Sequence, residues 1–155
     1  MTFEESIALG AKAERRAIDA FKAAGWCCIA HGAAQIGRVQ LPILTPVGER
    51  ASTDFIALRG GDYRLIEVKT KTQLDRGGFG LDRLQWLSLV EHETFTPGRV
   101  LLTIEDRSAD VLLVARIDHL KPSATWSHDE RFVFLDYDQF CALAHFLKGH
   151  EKWLS

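Results

Sequence analysis

A chain of 155 residues, 46% hydrophobic and 26% charged, fits one domain over residues 1–155 that buries a core without staples, and it argues against long disordered stretches. A formal net charge of −2 does not advertise a polyanion partner, yet residues 50–85 hold seven Lys or Arg against five Asp or Glu, while residues 86–155 hold seven against eleven. That local basic excess reads either as a hint of an anionic ligand or as an ordinary solvated surface.

Residues 2–24 open with Thr2 and Glu5 at capping-box spacing and continue with helix formers until Gly25, which predicts a helix. Its apolar stripe runs through Ile7, Ala11, Ile18 and Phe21. Glu14 falls inside that stripe, whereas Lys12, Arg15, Arg16, Asp19 and Lys22 lie outside it. A carboxylate facing a core is costly unless it is paired or metal-bound, although a Glu at the stripe's edge can also reach water. Gly10, one turn earlier, would let another segment approach closely. "WCCIAH" (26–31) reads as a strand, and Gly32 to Glu49, rich in Pro and Gly, as irregular with an extended piece around Val39 to Leu44.

"STDFIAL" (52–58) and "YRLIEVKTK" (63–71) are strand patterns joined by the turn "RGGD". "DRGGFG" (75–80) reads as a loop, either a linker or a mobile element presenting Phe79 for stacking, ahead of a helix over "LDRLQWLSLVEHE" (81–93). Gln85 sits in that helix at the margin of its apolar face, near Leu81, Leu84 and Ser88. "RVLLTIE" (99–105) and "DVLLVARI" (110–117) are further strands, "RFVFLDY" (131–137) a last short one, and "DQFCALAHFLKGHEKWL" (138–154) a closing amphipathic helix. This order predicts an α/β fold, a mixed central sheet flanked by helices.

Within the hairpin, a turn centred on Gly60 and Gly61 makes the numbers of facing residues sum to 121, which sets Asp54 opposite Glu67. Facing side chains have Cβ atoms roughly 4.5 to 5.5 Å apart, where like charges repel. Either one carboxyl is protonated with a raised pKa or a cation sits between them, and a divalent metal is the more economical reading. Lys69 shares the face of Glu67, one pleat along, where an ammonium can hold a water or neutralise charge on a phosphate. The alternative for Glu67 and Lys69 is an ion pair on an exposed sheet face.

Other chemistries find little support. Cys27, Cys28 and Cys141 do not form a framework of spaced pairs and read as reduced thiols of a cytoplasmic protein. The six histidines (His31, His92, His119, His128, His145, His150) share no ligand spacing, which argues against zinc. There is no hydrolase elbow, phosphate loop or dinucleotide fingerprint. With no run of about eighteen apolar residues and no leader pattern, no membrane association is expected. Trp26, Trp86, Trp126 and Trp153 read as core or interface aromatics.

A helical "GAKAE", then "TD" opening a strand, then "EVK" on its partner, then a helix carrying Gln, resembles the PD-(D/E)xK nuclease superfamily, restriction-endonuclease-like in fold. Within it the chain is most similar to small Holliday-junction-resolvase-like and phage-type nucleases. Thr53 stands where the name-giving motif has Pro, and the segment from Gln35 to Ser52 is longer than a minimal resolvase needs. The resemblance implies a magnesium-dependent DNA endonuclease, with manganese as a substitute. It implies that Asp54 and Glu67 bind the metal with the Val68 carbonyl, that Lys69 assists the attacking water, that Glu14 contacts the metal through water or binds a second ion, and that Gln85 orients the site. Lys71, Arg76, Arg83, Lys12, Arg15 and Arg16 are then candidate phosphate contacts, with RNA as an alternative substrate. A homodimer is expected for branched or paired substrates, built on the last helix and Trp153. The rival reading is a non-catalytic nucleic-acid-binding or assembly module that retains the fold.

Overall fold

The capping box of Thr2 and Glu5 forms as the spacing predicts: Glu5 N–H donates to the Thr2 hydroxyl at 3.1 Å, and Thr2 N–H donates to the Glu5 carboxylate at 2.6 Å. Helix α1 (Phe3–Ala23) follows, and Gly25, at φ +87°, turns the chain into strand β1 (Cys27–Ala30). In this computed structural model the described residues are 1–30, 42–123 and 131–149. Trp126, Trp153, His31, His128, His150 and the part of the expected extended piece before Pro42 lie outside them.

The stretch read as irregular contains a small hairpin, β2 (Pro42–Thr45) with β3 (Gly48–Ala51). The β4 (Phe55–Arg59) and β5 (Asp62–Lys71) hairpin has the predicted register, with Phe55 facing Ile66 and Ala57 facing Arg64. Strands β7 (Val100–Asp106) and β8 (Val111–Arg116) form a second antiparallel pair. β7 lies parallel to β5, from Leu65 opposite Val100 to Lys71 opposite Asp106. With β10 (Cys141–Ala142) at the far edge, the central sheet runs β1-β4-β5-β7-β8-β10, a mixed sheet as expected.

Alternation divides the core into two layers. Ile66, Val68, Leu101 and Val114 face α1, where Ala13, Ala17 and Phe21 are fully buried and Phe21 packs edge-on against Trp26 and Phe55. Leu65, Val100, Leu102 and Ile104 face the other layer, which contains helix α2 (Arg83–Phe95) through Leu89.

Four elements differ from their predicted form. "GGFG" is strand β6 (Gly78–Asp82), paired with β9 (Phe132–Asp136), and Phe79 is 1% exposed against Phe140 and Tyr137. Phe79 is therefore a core residue and not a mobile stacking group; glycine-rich composition concealed a strand whose partner lies some fifty positions away. Helix α2 starts at Arg83, capped by the Asp82 carboxylate on the N–H groups of Leu84 and Gln85, and its Leu84, Leu87 and Val90 point to solvent while Leu89 and His92 are buried. In α1, Ile7 is exposed and the buried stripe is Ala13, Ala17 and Phe21. The closing helix starts later than expected: Cys141 and Ala142 are drawn into the sheet beside β8, and α3 covers Leu143–Lys148, while positions 150–154 of the expected helix lie outside the described residues. Among the described residues, no helix is long and apolar enough to cross a membrane.

Candidate active site

Strand β4 begins at Phe55, whereas its partner β5 runs on to Lys71. Beyond Ile66, then, the β4-facing edge of β5 has no strand beside it among the described residues. Asp54, one residue before β4, takes that place: its carboxylate accepts the Val68 N–H at 2.8 Å. In an extended strand a residue's N–H and C=O lie on the same edge, so the Val68 carbonyl also faces this opening.

Glu67 and Lys69 stand on the α2 side of β5 and form an ion pair at 2.6 Å, with side chains only 17% and 22% exposed. A partly buried pair beside Asp54 is different from the exposed surface pair that the strand pattern alone allows. Glu14 comes in from α1, 4% exposed, and its Oε1 is buried without a hydrogen-bond partner.

The electrostatics follow from this crowding. Burial first, then the charges of Asp54 and Glu67, push the Glu14 carboxyl up from 4.5 to about 7, with Arg15 pulling weakly the other way. Glu67 moves in the same direction through burial and Asp54, with Lys69 opposing. Burial works against the Lys69 ammonium, but Glu67 and Asp54 outweigh it, so its pKa is raised and it stays charged at neutral pH. Three carboxyl groups that disfavour one another's charge, one with an orphaned oxygen, fit a hard dication. Among the described residues no group of three His, Cys, Asp or Glu side chains is gathered as a ready cage. Magnesium does not need one, since one or two carboxylates suffice and water completes the shell. Asp54, Glu67 and the Val68 carbonyl are the residues that would hold it, with Glu14 alongside.

Two cavities open from this point and share Asp54, Lys69 and Gln85. The first, about 440 Å³, extends past Gly10 and Glu14 toward Lys71, Thr72 and Arg107. The second, about 400 Å³, extends past Glu67 toward Ala51, Ser88 and His92. Gln85 is exposed on the first turn of α2, in the cleft between them. Among the described residues no segment closes on Gly10: a Cβ there would meet nothing within 4 Å, contrary to the close approach expected from the sequence.

Not all the candidate phosphate contacts gather here. Lys71 lines the first cavity, whereas Lys12, Arg15, Arg76 and Arg83 are exposed outside both. Arg16 is committed elsewhere, bonded to Glu105 at 2.6 Å and Asp110 at 3.1 Å, where it ties α1 to the β7–β8 hairpin. Two lining residues escaped the sequence reading. Arg107 follows β7, and its N–H donates to the Lys71 carbonyl at 2.8 Å, which carries it to the cleft. His92 reaches the second cavity from α2, a helix turn beyond Ser88. Only the β5–β7 pairing and the true buried face of α2 could have revealed them.

No family model matches the chain, and no curated protein matches it. Solved structures do. A Holliday junction resolvase, Hjc, from the archaeal hyperthermophile Archaeoglobus fulgidus aligns with a TM-score of 0.61 at 18% identity, over 89% of this chain and 99% of its own. D212, a nuclease from a fusselovirus, aligns with a TM-score of 0.52 at 10% identity, over 99% of this chain and 95% of its own. The chain has the fold of these nucleases, a restriction-endonuclease-like one, as the order of its motifs implied.

Proposed function

We propose that the protein is a divalent-metal-dependent endonuclease that hydrolyses phosphodiester bonds in DNA, with magnesium as its ion and manganese as a substitute. The observation that carries this reading is the convergence of Asp54, Glu67, Lys69 and Glu14 at the open edge of β5, in a fold shared with two nucleases. The cleft supports cutting within a strand, because cavities leave the carboxylates in two directions and offer room for nucleotides on either side of a phosphate.

When bound, the ion would supply Lewis acidity and lower the pKa of a water. Asp54 and Glu67 would hold the ion, and the Asp54 bond to the Val68 N–H fixes that carboxylate's orientation. Lys69, paired with Glu67 at 2.6 Å, orients the attacking water and offsets charge growing on the phosphate. Gln85 donates its amide to a phosphate oxygen or to that water. Lys71 and Arg107 hold a neighbouring phosphate and position the backbone without reading sequence. Cleavage of both strands of a paired or branched substrate calls for two copies of the chain.

The test is cleavage of labelled linear duplex, single-stranded, flap and four-way-junction DNA and one RNA, with magnesium or manganese. The wild type is expected to cut at least one DNA, and Lys69→Ala and Asp54→Ala to lose about a hundredfold or more in rate. DNA binding without cleavage under either metal would instead establish the non-catalytic module.

A further inference from the structure

The two cavities differ in chemistry. The first offers Lys71, Arg107 and the hydroxyls of Ser6, Thr70 and Thr72 around Glu14, a lining suited to a sugar-phosphate backbone. In the second, among the described residues, Lys69 is the sole Lys or Arg, and it already faces Glu67. The rest of that lining is the Asp54 and Glu67 carboxylates, which repel a phosphate, together with Ala51, Leu84 and Leu89 as apolar wall and Ser52, Gln85, Ser88 and His92 as uncharged polar groups. Such a lining repels no ring and attracts no phosphate, and the volume of about 400 Å³ falls within the range of small-molecule sites.

We propose that this second cavity is a nucleobase pocket, which receives one unstacked, unpaired base of the strand whose phosphate lies at Asp54 and Lys69. The inference rests on the nuclease reading and deepens it by naming the substrate class: DNA with a locally unpaired nucleotide beside the scissile phosphate, in preference to regular duplex.

The walls fit that occupant. Leu89 is 3% exposed and forms a fixed apolar surface, while Leu84, 76% exposed at the rim, is placed to cover a ring from the solvent side. His92 is 4% exposed and hydrogen-bonded to the Ala51 backbone, which fixes the imidazole plane. Burial also lowers its pKa, so the ring is neutral; with its one N–H donated to the Ala51 backbone, the other nitrogen is a bare acceptor, which suits a base amino group better than a phosphate. The Ser88 hydroxyl and the Gln85 amide add donors and acceptors on the same wall. Unstacking a base costs a few kcal/mol, least where it is already unpaired, and this selects the substrate.

The experiment measures equilibrium binding by fluorescence anisotropy, in calcium chloride with the DNA verified intact. Three DNAs are compared: a linear duplex, the same duplex with a single unpaired nucleotide, and the latter with an abasic unit at that nucleotide. The wild type is expected to prefer the unpaired nucleotide over duplex by about tenfold and to lose that preference with the abasic unit. Ser88→Phe and Ser88→Leu, at an exposed helix position, fill the cavity and are expected to bind all three DNAs alike, at the wild type's duplex affinity. Unchanged thermal unfolding of either variant shows that the fold is kept. Equal wild-type affinity for the base-bearing and abasic DNAs, or a preference that survives both substitutions, overturns the pocket while leaving the nuclease reading intact. Failure to bind any of the three DNAs overturns both.

Discussion

Glu14 illustrates how a single side chain ties stability to chemistry. Its carboxyl, pushed up to about 7 by burial and by Asp54 and Glu67, keeps a proton in the folded chain that an unfolded Glu releases near 4.5. Between those values the folded state binds more protons, so its stability falls as pH rises through the window. The penalty is complete above about 7 and is on the order of 3 kcal/mol. The metal-free protein is therefore expected to melt at a lower temperature at pH 8 than at pH 5.5, magnesium to raise the melting temperature more at pH 8, and Glu14→Gln to weaken the metal-free dependence, Glu67 supplying what is left. Thermal unfolding across that range checks all three, and a metal-free melting temperature that climbs with pH refutes the account. Glu14 was legible as a candidate because it falls within an apolar stripe, but only the packing of α1, which leaves it 4% exposed, decides against a side chain reaching water. Arg16 was not, since its partners Glu105 and Asp110 lie 89 and 94 positions away. Arg16→Ala is expected to lower stability and leave DNA affinity nearly unchanged. Arg107→Ala is expected to keep stability, weaken DNA binding and reduce the slope of log affinity against log salt by about one. Anisotropy titrations at several salt concentrations, paired with urea unfolding, separate the two roles.

Among the elements, the β4–β5 hairpin was the most readable, because Gly60 and Gly61 at positive φ close a tight turn and leave one register available. β6 was the least readable. Its first glycine serves close approach: a Cβ on Gly78 would run into the Leu135 carbonyl oxygen and lie 2.6 Å from the Phe134 ring. Gly78→Ala is thus expected to destabilise the protein by about 1–3 kcal/mol, measured by urea denaturation, although nothing in a loop reading would make that glycine special. Helix α2 misled in a different way. Its periodic Leu84, Leu87 and Val90 look like a core face, but the Asp82 cap and the packing of Leu89 and His92 turn them outward, and with them they set Gln85 in the cleft.

At the scale of the whole molecule, a net charge of −2 leaves nucleic-acid affinity to a few local cations rather than to a global field. With Lys71 and Arg107 in the cleft, and Lys12, Arg15, Arg76 and Arg83 exposed outside both cavities, log affinity for DNA is expected to fall against log salt with a slope between about −2 and −5, obtained from titrations between low and moderate salt. A slope near zero would mean that phosphates are not what the cleft holds. The parallel pairing of β5 with β7 bears on how the molecule comes into being. Asp54, Glu67 and Lys69 meet in a local hairpin that a nascent chain can close early. The edge beyond β5 is secured only after the whole β6–α2 crossover has docked, and α1, which carries Glu14, waits for the same sheet. A half-folded chain therefore bears the charges but not the cleft, so the proposed site is complete only once the whole sheet has formed.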